Sequence, residues 1–283
     1  MIPNKSTEGV VHFKDQEVHS AEVWLKCKAK KLIGGPQGYI VIDSLDTLPL
    51  GTHLGEGTFS TVTLLDLPDA PSLVVKMLKH IPGYDSPQLQ ARNEAEYLHQ
   101  VATVEGVPKI FALVVNPPCI IMSMAKGILF YHFTISRPVM KEMLRVCINV
   151  CHILQNIHNL GYVHNDVKFD NILVDPGSLE VTIIDLGLLA KVGTKKFSIP
   201  SDMDKALKDR EKLCPSVCPE FYVGGPCHPS VDVYSVAYMI EKAVSWCKPV
   251  KRALAPTTIR CQGPSASRPS IRELAAAMEL ILT

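Results

Sequence analysis

The sequence predicts an α+β fold in which a small, sheet-rich lobe precedes a larger helical one. Three observations carry that expectation. Apolar runs in the first half are short, rich in Thr, Val, Ile and Leu, and punctuated by Gly, Pro and Asn. Apolar residues from Met140 onward recur at three- and four-residue steps instead. The chain also has 283 residues, enough for two domains of about 150, or two lobes sharing a cleft. With 47% hydrophobic and 20% charged residues, it can bury a core without disulfide staples, and disordered, collagen-like and coiled-coil classes are excluded.

In chain order, residues 1–38 form an N-terminal extension, where Val18, Ala21, Trp24 or Leu25 and Cys27 or Lys28 keep a loose helical spacing ended by Gly34-Gly35-Pro36. Tyr39–Ile42 reads as a strand. Residues from about Leu50 to Leu67 form a strand–loop–strand unit, Pro68–Pro71 a turn, and Leu73–Leu78 a third strand. Pro87–Gln100 fits a helix, and Val107–Met124 fits two strands joined across Asn116-Pro117-Pro118. Met140, Met143, Leu144, Cys147, Cys151, Leu154, Ile157 and His158 mark a long buried helix ended by Gly161. Val231–Val244 and Ile271–Leu282 are further helices.

Composition narrows the partners. The formal charge is +1, so nothing global points to nucleic acid or an anionic membrane. The charged N-terminus is no secretory signal, and the most apolar stretch, Ile110–Ala125, is broken by Asn116, Pro117 and Pro118 and too short to cross a bilayer. Nine scattered cysteines without a Cys-x-x-Cys pair read as reduced thiols, hence a cytoplasmic or nuclear setting. Cys214, Cys218, Cys227 and His228 have a spacing that fits no familiar zinc finger or ribbon.

Three signals carry chemistry. Leu54-Gly55-Glu56-Gly57-Thr58-Phe59-Ser60 and Val62 lie between two strands, where glycines let backbone N–H groups approach phosphates. A dinucleotide fingerprint is excluded, because it needs a helix after the glycines. Lys76 is the one charged residue of Leu73–Leu78, with partners available at Glu94 or Glu96. The strongest signal is His164-Asn165-Asp166-Val167-Lys168-Phe169-Asp170-Asn171, followed after a short strand by Asp185-Leu186-Gly187. Asn171 and Asp185 are hard oxygen donors suited to Mg²⁺. Asp166 can accept a hydroxyl proton, and Lys168 can offset charge on a transferring phosphoryl group.

These motifs, in this order and spacing, resemble the eukaryotic-type protein kinases over residues 50–283. Cys218-Pro219-Glu220 matches a degenerate Ala-Pro-Glu, Asp232 the structural Asp of a large-lobe helix, and Arg268 the late Arg that pairs with Glu220. The resemblance implies a somewhat truncated bilobal kinase domain over 39–283, with the small lobe at about 39–124 and the large lobe at about 125–283. It also implies ATP and Mg²⁺ as cofactors, with Asp166 and Lys168 catalytic and Asn171 and Asp185 on the metal. Lys76, paired with Glu94, would hold the α/β-phosphates under the loop Leu54–Val62. Val62, Val74 and Leu173 would enclose adenine, with Met122 as gatekeeper and Met124 beside it. Glu94 is preferred to Glu96 because Leu98 then joins Leu113, His164 and Leu186 in the family's regulatory stack. Lys168 resembles the serine/threonine branch, so the partner is a protein with a Ser/Thr acceptor, not nucleic acid or membrane.

The departures are specific. Ser60 replaces a third glycine, and Val74 an Ala. Asn165 replaces the Arg that in the family pairs with a phosphorylated activation loop, so switching through Thr194, Ser198 or Ser201 loses its main anchor. Leu213 stands where the serine/threonine branch has a Thr that contacts Asp166 and Lys168. Only about 35 residues separate Asp232 from Arg268, which reads as a shortened substrate-docking region. Between Lys191 and Lys212 seven basic residues face four acidic ones, the mark of a solvated loop or a site for an acidic partner. The extension 1–38 either packs on the small lobe or binds a regulatory partner. Two alternatives are an ATP-binding pseudokinase scaffold and a small-molecule phosphotransferase of the aminoglycoside/choline type. Lys76, Asp166, Asn171 and Asp185 together argue against the first, and Lys168 with Asp-Leu-Gly against the second.

Overall fold

A computed structural model describes residues 25, 38–45, 48–66, 72–195, 215–222 and 224–283. They fall into two compact units, one holding residues up to Ala91 and Ile110–Met124, the other Arg92–Lys109 and Ala125–Thr283. The first unit is therefore discontinuous in sequence. Its architecture is sheet-rich and that of the second mainly helical, the α+β layout the residue pattern predicts.

The first unit is a six-stranded sheet of β1 (Ile40–Ser44), β2 (Leu50–Glu56), β3 (Ser60–Leu65), β4 (Leu73–Leu78), β5 (Ile110–Asn116) and β6 (Cys119–Ser123), in the order β1-β5-β6-β4-β3-β2. Neighbours are antiparallel except β1, which runs parallel to β5 with Ile40 opposite Ala112 and Ile42 opposite Val114. The two-residue period sorts the side chains into two faces. Ile42, Leu73, Val75, Ala112, Val114 and Ile121 bury on one, joined by Leu25 from the N-terminal extension. Val62 lies opposite Lys76, Lys76 opposite Ile120, and Val74 opposite Met122, which puts these residues on the other. A one-residue slip would carry Lys76 into the apolar face, so register is strongly specified here.

Helix α1 (Pro87–Gln100) leads into the second unit, which continues with α2 (Phe130–Ile135), α3 (Met140–Asn159), α4 (Pro219–Tyr222), α5 (Ser230–Ala243), α6 (Lys248–Cys261) and α7 (Ile271–Leu282). Five short strands accompany them: β7 (Ile128–Leu129), β8 (Tyr162–Val163), β9 (Ile172–Val174), β10 (Val181–Ile183) and β11 (Ala190–Lys191). The apolar stripe of α3 is buried from Met143 to Ile157, as its period requires. Gly106 joins the stretch after α1 to this unit. Its φ is 82°, a Cβ there would collide with Ile153, and its carbonyl accepts from Ile183 N at 2.8 Å. A capping box of Ser270 and Glu273 starts α7, satisfying two otherwise orphaned N–H groups.

Helix α6 is the element the sequence pattern hides. Pro249 sits in its first turn, Pro256 lies inside it, and only Leu254, Thr258 and Cys261 are buried. Pro256 removes one intrahelical hydrogen bond, and packing against α5 and α7 holds the helix nonetheless. It fills the stretch between Asp232 and Arg268. Among the described residues, no helix is long and apolar enough to cross a membrane.

Candidate active site

The loop His164–Asn171, the catalytic loop of the kinase resemblance, is built from one buried carboxylate outward. Asp232, on α5, is fully buried. Its Oδ2 accepts from His164 N at 2.8 Å and lies 2.8 Å from His158 Nε2, and its Oδ1 accepts from Asn165 N at 2.8 Å. Burial alone would push this carboxyl up, but His158 and the His164 amide bring it below the ordinary Asp range. In the sequence, His158 is only one more member of the α3 stripe. The signal that could have singled it out is a polar residue on an apolar face, two turns of chain before the loop, with a lone Asp on the apolar face of α5 to receive it.

On that anchored loop the reactive groups converge. Asp166 Oδ2 accepts from Lys168 Nζ at 2.7 Å and from Asn171 Nδ2 at 2.8 Å, and the same Nδ2 donates to the Asp166 carbonyl at 2.8 Å. With both amide hydrogens of Asn171 turned to Asp166, its Oδ1 is the atom left to act as a ligand. Strands β9 and β10 pair with Ile172 opposite Ile183, and Ile184 N donates to the Asn171 carbonyl at 2.8 Å. Asn171 and Asp185 thus emerge at the same end of one ladder. Asp185 adopts φ 63°, and its Oδ1 accepts from Gly187 N at 3.4 Å. His164 Nδ1 accepts from Asp166 N at 3.2 Å. Burial lowers the His164 pKa, which keeps the ring neutral and able to accept.

Glu94 is buried at 3% exposure, whereas Glu96 is exposed and accepts from Gln100 Nε2 at 2.6 Å. A Cβ at Gly187 would lie 3.7 Å from Glu94 Oε2, so this carboxylate flanks the Asp-Leu-Gly turn. Leu98, His164 and Leu186 are buried in this unit and Leu113 in the other. Leu173 lies opposite Leu129 and Thr182 and alternates away from the buried Ile172 and Val174.

In the first unit, Val62, Val74, Lys76 and Met122 share one sheet face, and Lys76 is 5% exposed. The glycine-rich segment is the β2–β3 hairpin, with Gly55 opposite Val62 and Glu56 opposite Thr61. Gly57 N donates to the Ser60 carbonyl at 2.9 Å, across Thr58 and Phe59. Leu54 and Met124 are exposed. Lys79, a residue without a signature in the sequence, bonds Glu56 Oε1 and the Gly57 carbonyl. That contact lowers the Glu56 pKa. Phe59 packs edge-on to Tyr84 with ring centroids 5.0 Å apart. A Cβ at Gly55 would meet no atom within 4 Å, and one at Gly57 only the Ser60 carbonyl at 3.9 Å. The protein leaves open space beside both glycines.

Arg268 Nη2 grips Glu220 at 2.8 and 2.9 Å, the pairing expected from the late Arg. Cys218 and Cys227 are buried with Val163, Ala190 and Val231, and His228 Nδ1 engages Ser230 Oγ at 2.9 Å. Cys214, Leu213, Ser198, Ser201, the turn Pro68–Pro71, most of 191–212 and the extension apart from Leu25 and Gly38 lie outside the described residues.

Comparison with known proteins adds an independent line. The protein kinase domain family matches residues 49–263. Serine/threonine-protein kinase 1 of African swine fever virus (Pretoriuskop isolate) is 22% identical over 177 residues, covering 62% of this chain and 50% of the viral protein. A probable serine/threonine-protein kinase, KIN1 homolog, of Encephalitozoon cuniculi is 24% identical over 216 residues, covering 70% of this chain and 35% of that protein. A probable serine/threonine-protein kinase, fnkB, of Dictyostelium discoideum is 28% identical over 105 residues, covering 36% and 18%. The chain thus spans half the length, or less, of these relatives. Strand β1 and helix α7 lie outside the family match.

Proposed function

Because this chain belongs to the protein kinase family, we propose that it transfers the γ-phosphoryl group of Mg-ATP to a serine or threonine hydroxyl of a protein, without needing an activation-loop phosphate. The observation that carries the reading is the Asp166 carboxylate with Lys168 at 2.7 Å and Asn171 at 2.8 Å, on a loop anchored to Asp232. Both donors sit on Oδ2, so Oδ1 is the oxygen offered to the acceptor hydroxyl. Asp166 orients that hydroxyl and takes its proton as the new O–P bond forms and the bond from the γ-phosphorus to the β,γ-bridging oxygen breaks, with ADP as the leaving group. The Lys168 ammonium offsets charge on the phosphoryl oxygens in transit.

The residues present fit the expected cofactor. Asn171 Oδ1 and the Asp185 carboxylate are hard oxygens at one strand end, suited to magnesium, and the room over Gly55 and Gly57 suits the close approach of phosphates to backbone N–H groups. Asn171 and Asp185 would hold the magnesium, which would supply neutralisation of phosphate charge. As the family resemblance implies, Lys76, paired with Glu94, would hold the α/β-phosphates. Val62, Val74 and Leu173 would enclose the adenine on the same reading, with Met122 as gatekeeper.

Purified protein given Mg-ATP, a generic basic protein and a metabolite panel tests this. Serine/threonine labelling of protein that disappears in Asp166→Asn is expected. Nucleotide binding without transfer, or labelling of a metabolite alone, would overturn the reading. Near-normal transfer by Lys76→Met would overturn the assignment of Lys76.

A further inference from the structure

We infer that Asn165 is a positioning residue whose side-chain amide clamps the segment after Asp185-Leu186-Gly187 to the catalytic loop, so that the site supports itself without phosphate. This rests on the kinase reading above and says how that site is regulated.

Asn165 lies between His164 and the catalytic Asp166 and is 3% exposed. Its φ is 67°, a region that Asn occupies more readily than other non-glycine residues. Its backbone N–H is fixed on Asp232 Oδ1 at 2.8 Å. From that fixed point, Nδ2 donates to the Val163 carbonyl at 3.1 Å and to the Leu188 carbonyl at 3.0 Å. Val163 belongs to the strand that enters the catalytic loop, and Leu188 follows directly on the Asp-Leu-Gly turn. One amide therefore ties the base-bearing loop to the metal-bearing segment.

Backbone pairing and apolar burial also hold the chain beyond Leu188 among the described residues. Ala190 pairs with Val163 and Lys191 with Tyr162. Gly193 N donates to the Cys227 carbonyl at 2.8 Å, and Cys227 N to the Thr194 carbonyl at 2.9 Å. Val163, Ala190, Cys218, Cys227 and Val231 bury together beneath it.

The chemistry of residue 165 decides what such a clamp needs. A guanidinium at this place is a cation that must find an anion, which is why an Arg makes the arrangement depend on phosphate. A neutral amide whose two N–H groups are both taken by carbonyls needs no partner charge. Asn165 Oδ1 is buried and accepts no hydrogen bond from the described residues, so the amide acts through its donors. Asn165→Asp would set carboxylate oxygens against the carbonyls of Val163 and Leu188. Asn165→Gly keeps the positive φ at no steric cost and removes the amide with its donors.

The test uses the full chain, wild type and both variants, after phosphatase treatment. Kinetics with Mg-ATP and a generic basic protein are read beside hydrogen exchange of the backbone amides. Phosphate-free wild type should keep its kcat within about twofold. Asn165→Gly should lose about tenfold in kcat, the rate equivalent of one hydrogen bond of about 1.4 kcal/mol, with the KM for ATP nearly unchanged. Its Leu188–Ala190 amides should exchange about tenfold faster, those of α3 and α5 at the wild-type rate, and Asn165→Asp should exceed both effects. Wild-type kcat and exchange in Asn165→Gly would overturn the clamp, and so would faster exchange spread evenly through the unit. Loss of activity on phosphatase treatment, restored by rephosphorylation, would overturn phosphate independence. A wild type with no transfer at all would instead sink the kinase reading, while the exchange data would still decide the clamp.

Discussion

The loop His164–Asn171 and the glycine-rich loop are held in opposite ways. The first hangs from Asp232, at 0% exposure, through contacts of 2.8 Å to His158, His164 and Asn165. The second is pinned from outside, by Lys79 on Glu56 and by Phe59 against Tyr84, and the Glu56 side chain is 62% exposed. The difference fits the roles proposed for them. Groups that move a proton and orient a nucleophile lose rate when displaced by an ångström. A cover over a nucleotide has to open for entry and release, which weak exposed contacts allow.

The largest expected effect comes from breaking the buried anchor. Asp232→Asn keeps the shape but turns one acceptor oxygen into a donor facing N–H groups already aimed at it. Leaving buried donors unpaired costs about 1–3 kcal/mol for each group, so a melting temperature lower by several degrees is expected, together with a large fall in kcat. A variant with wild-type melting and wild-type kcat would mean that the loop is held by something other than Asp232.

A smaller effect separates stability from chemistry within the same unit. Arg268, with 1% of its side chain exposed, grips Glu220 with two bonds, and Arg268→Ala should destabilise by roughly 1.5–3 kcal/mol. The pH dependence has a definite sign. Burial raises the Glu220 pKa, but the Arg268 hydrogen bonds and charge more than offset this and leave it below its usual 4.5. A depressed folded-state pKa gives stability that is present above the unfolded value and lost as pH falls through the folded one. The gap in thermal stability between wild type and Arg268→Ala should therefore be full at pH 7 and shrink below pH 4.5. A gap independent of pH would show packing, not the ion pair, to be the cause.

The same contrast explains what could be read in advance. Elements stabilised by their own periodicity were legible almost to the residue, as with β4 (Leu73–Leu78), α1 (Pro87–Gln100) and α7 (Ile271–Leu282). The residues brought together at Asp166, Lys168 and Asn171 were legible because they lie within six positions of one another. Helix α6 was not, because Pro249 and Pro256 speak against a helix that only its neighbours α5 and α7 maintain. The parallel pairing of β1 with β5 was not, because it joins residues about 70 positions apart and has no local signature. At Asn165 the sequence displays the loss of an arginine, and only the fold displays the amide bond to Leu188 that stands in its place.

The smallest expected effect tests the exposed half of the comparison. Lys79→Ala removes the bonds to Glu56 and to the Gly57 carbonyl, and Tyr84→Ala removes the edge contact to Phe59. Neither residue is in the core, so both variants should melt within a degree or two of wild type. The loop should sample open positions more often, which raises the KM for ATP about two- to threefold and leaves kcat nearly unchanged. The Lys79 effect is electrostatic at an exposed site and should fade between 0.05 and 0.5 M salt as screening shortens to a few ångströms, at roughly 4 Å by the upper concentration. The Tyr84 effect is apolar and should not fade. Measuring the KM for ATP of both variants across that salt range separates the two contacts. A tenfold fall in kcat in either would mean that the glycine-rich loop, like the catalytic loop, positions the reacting groups and is more than a cover.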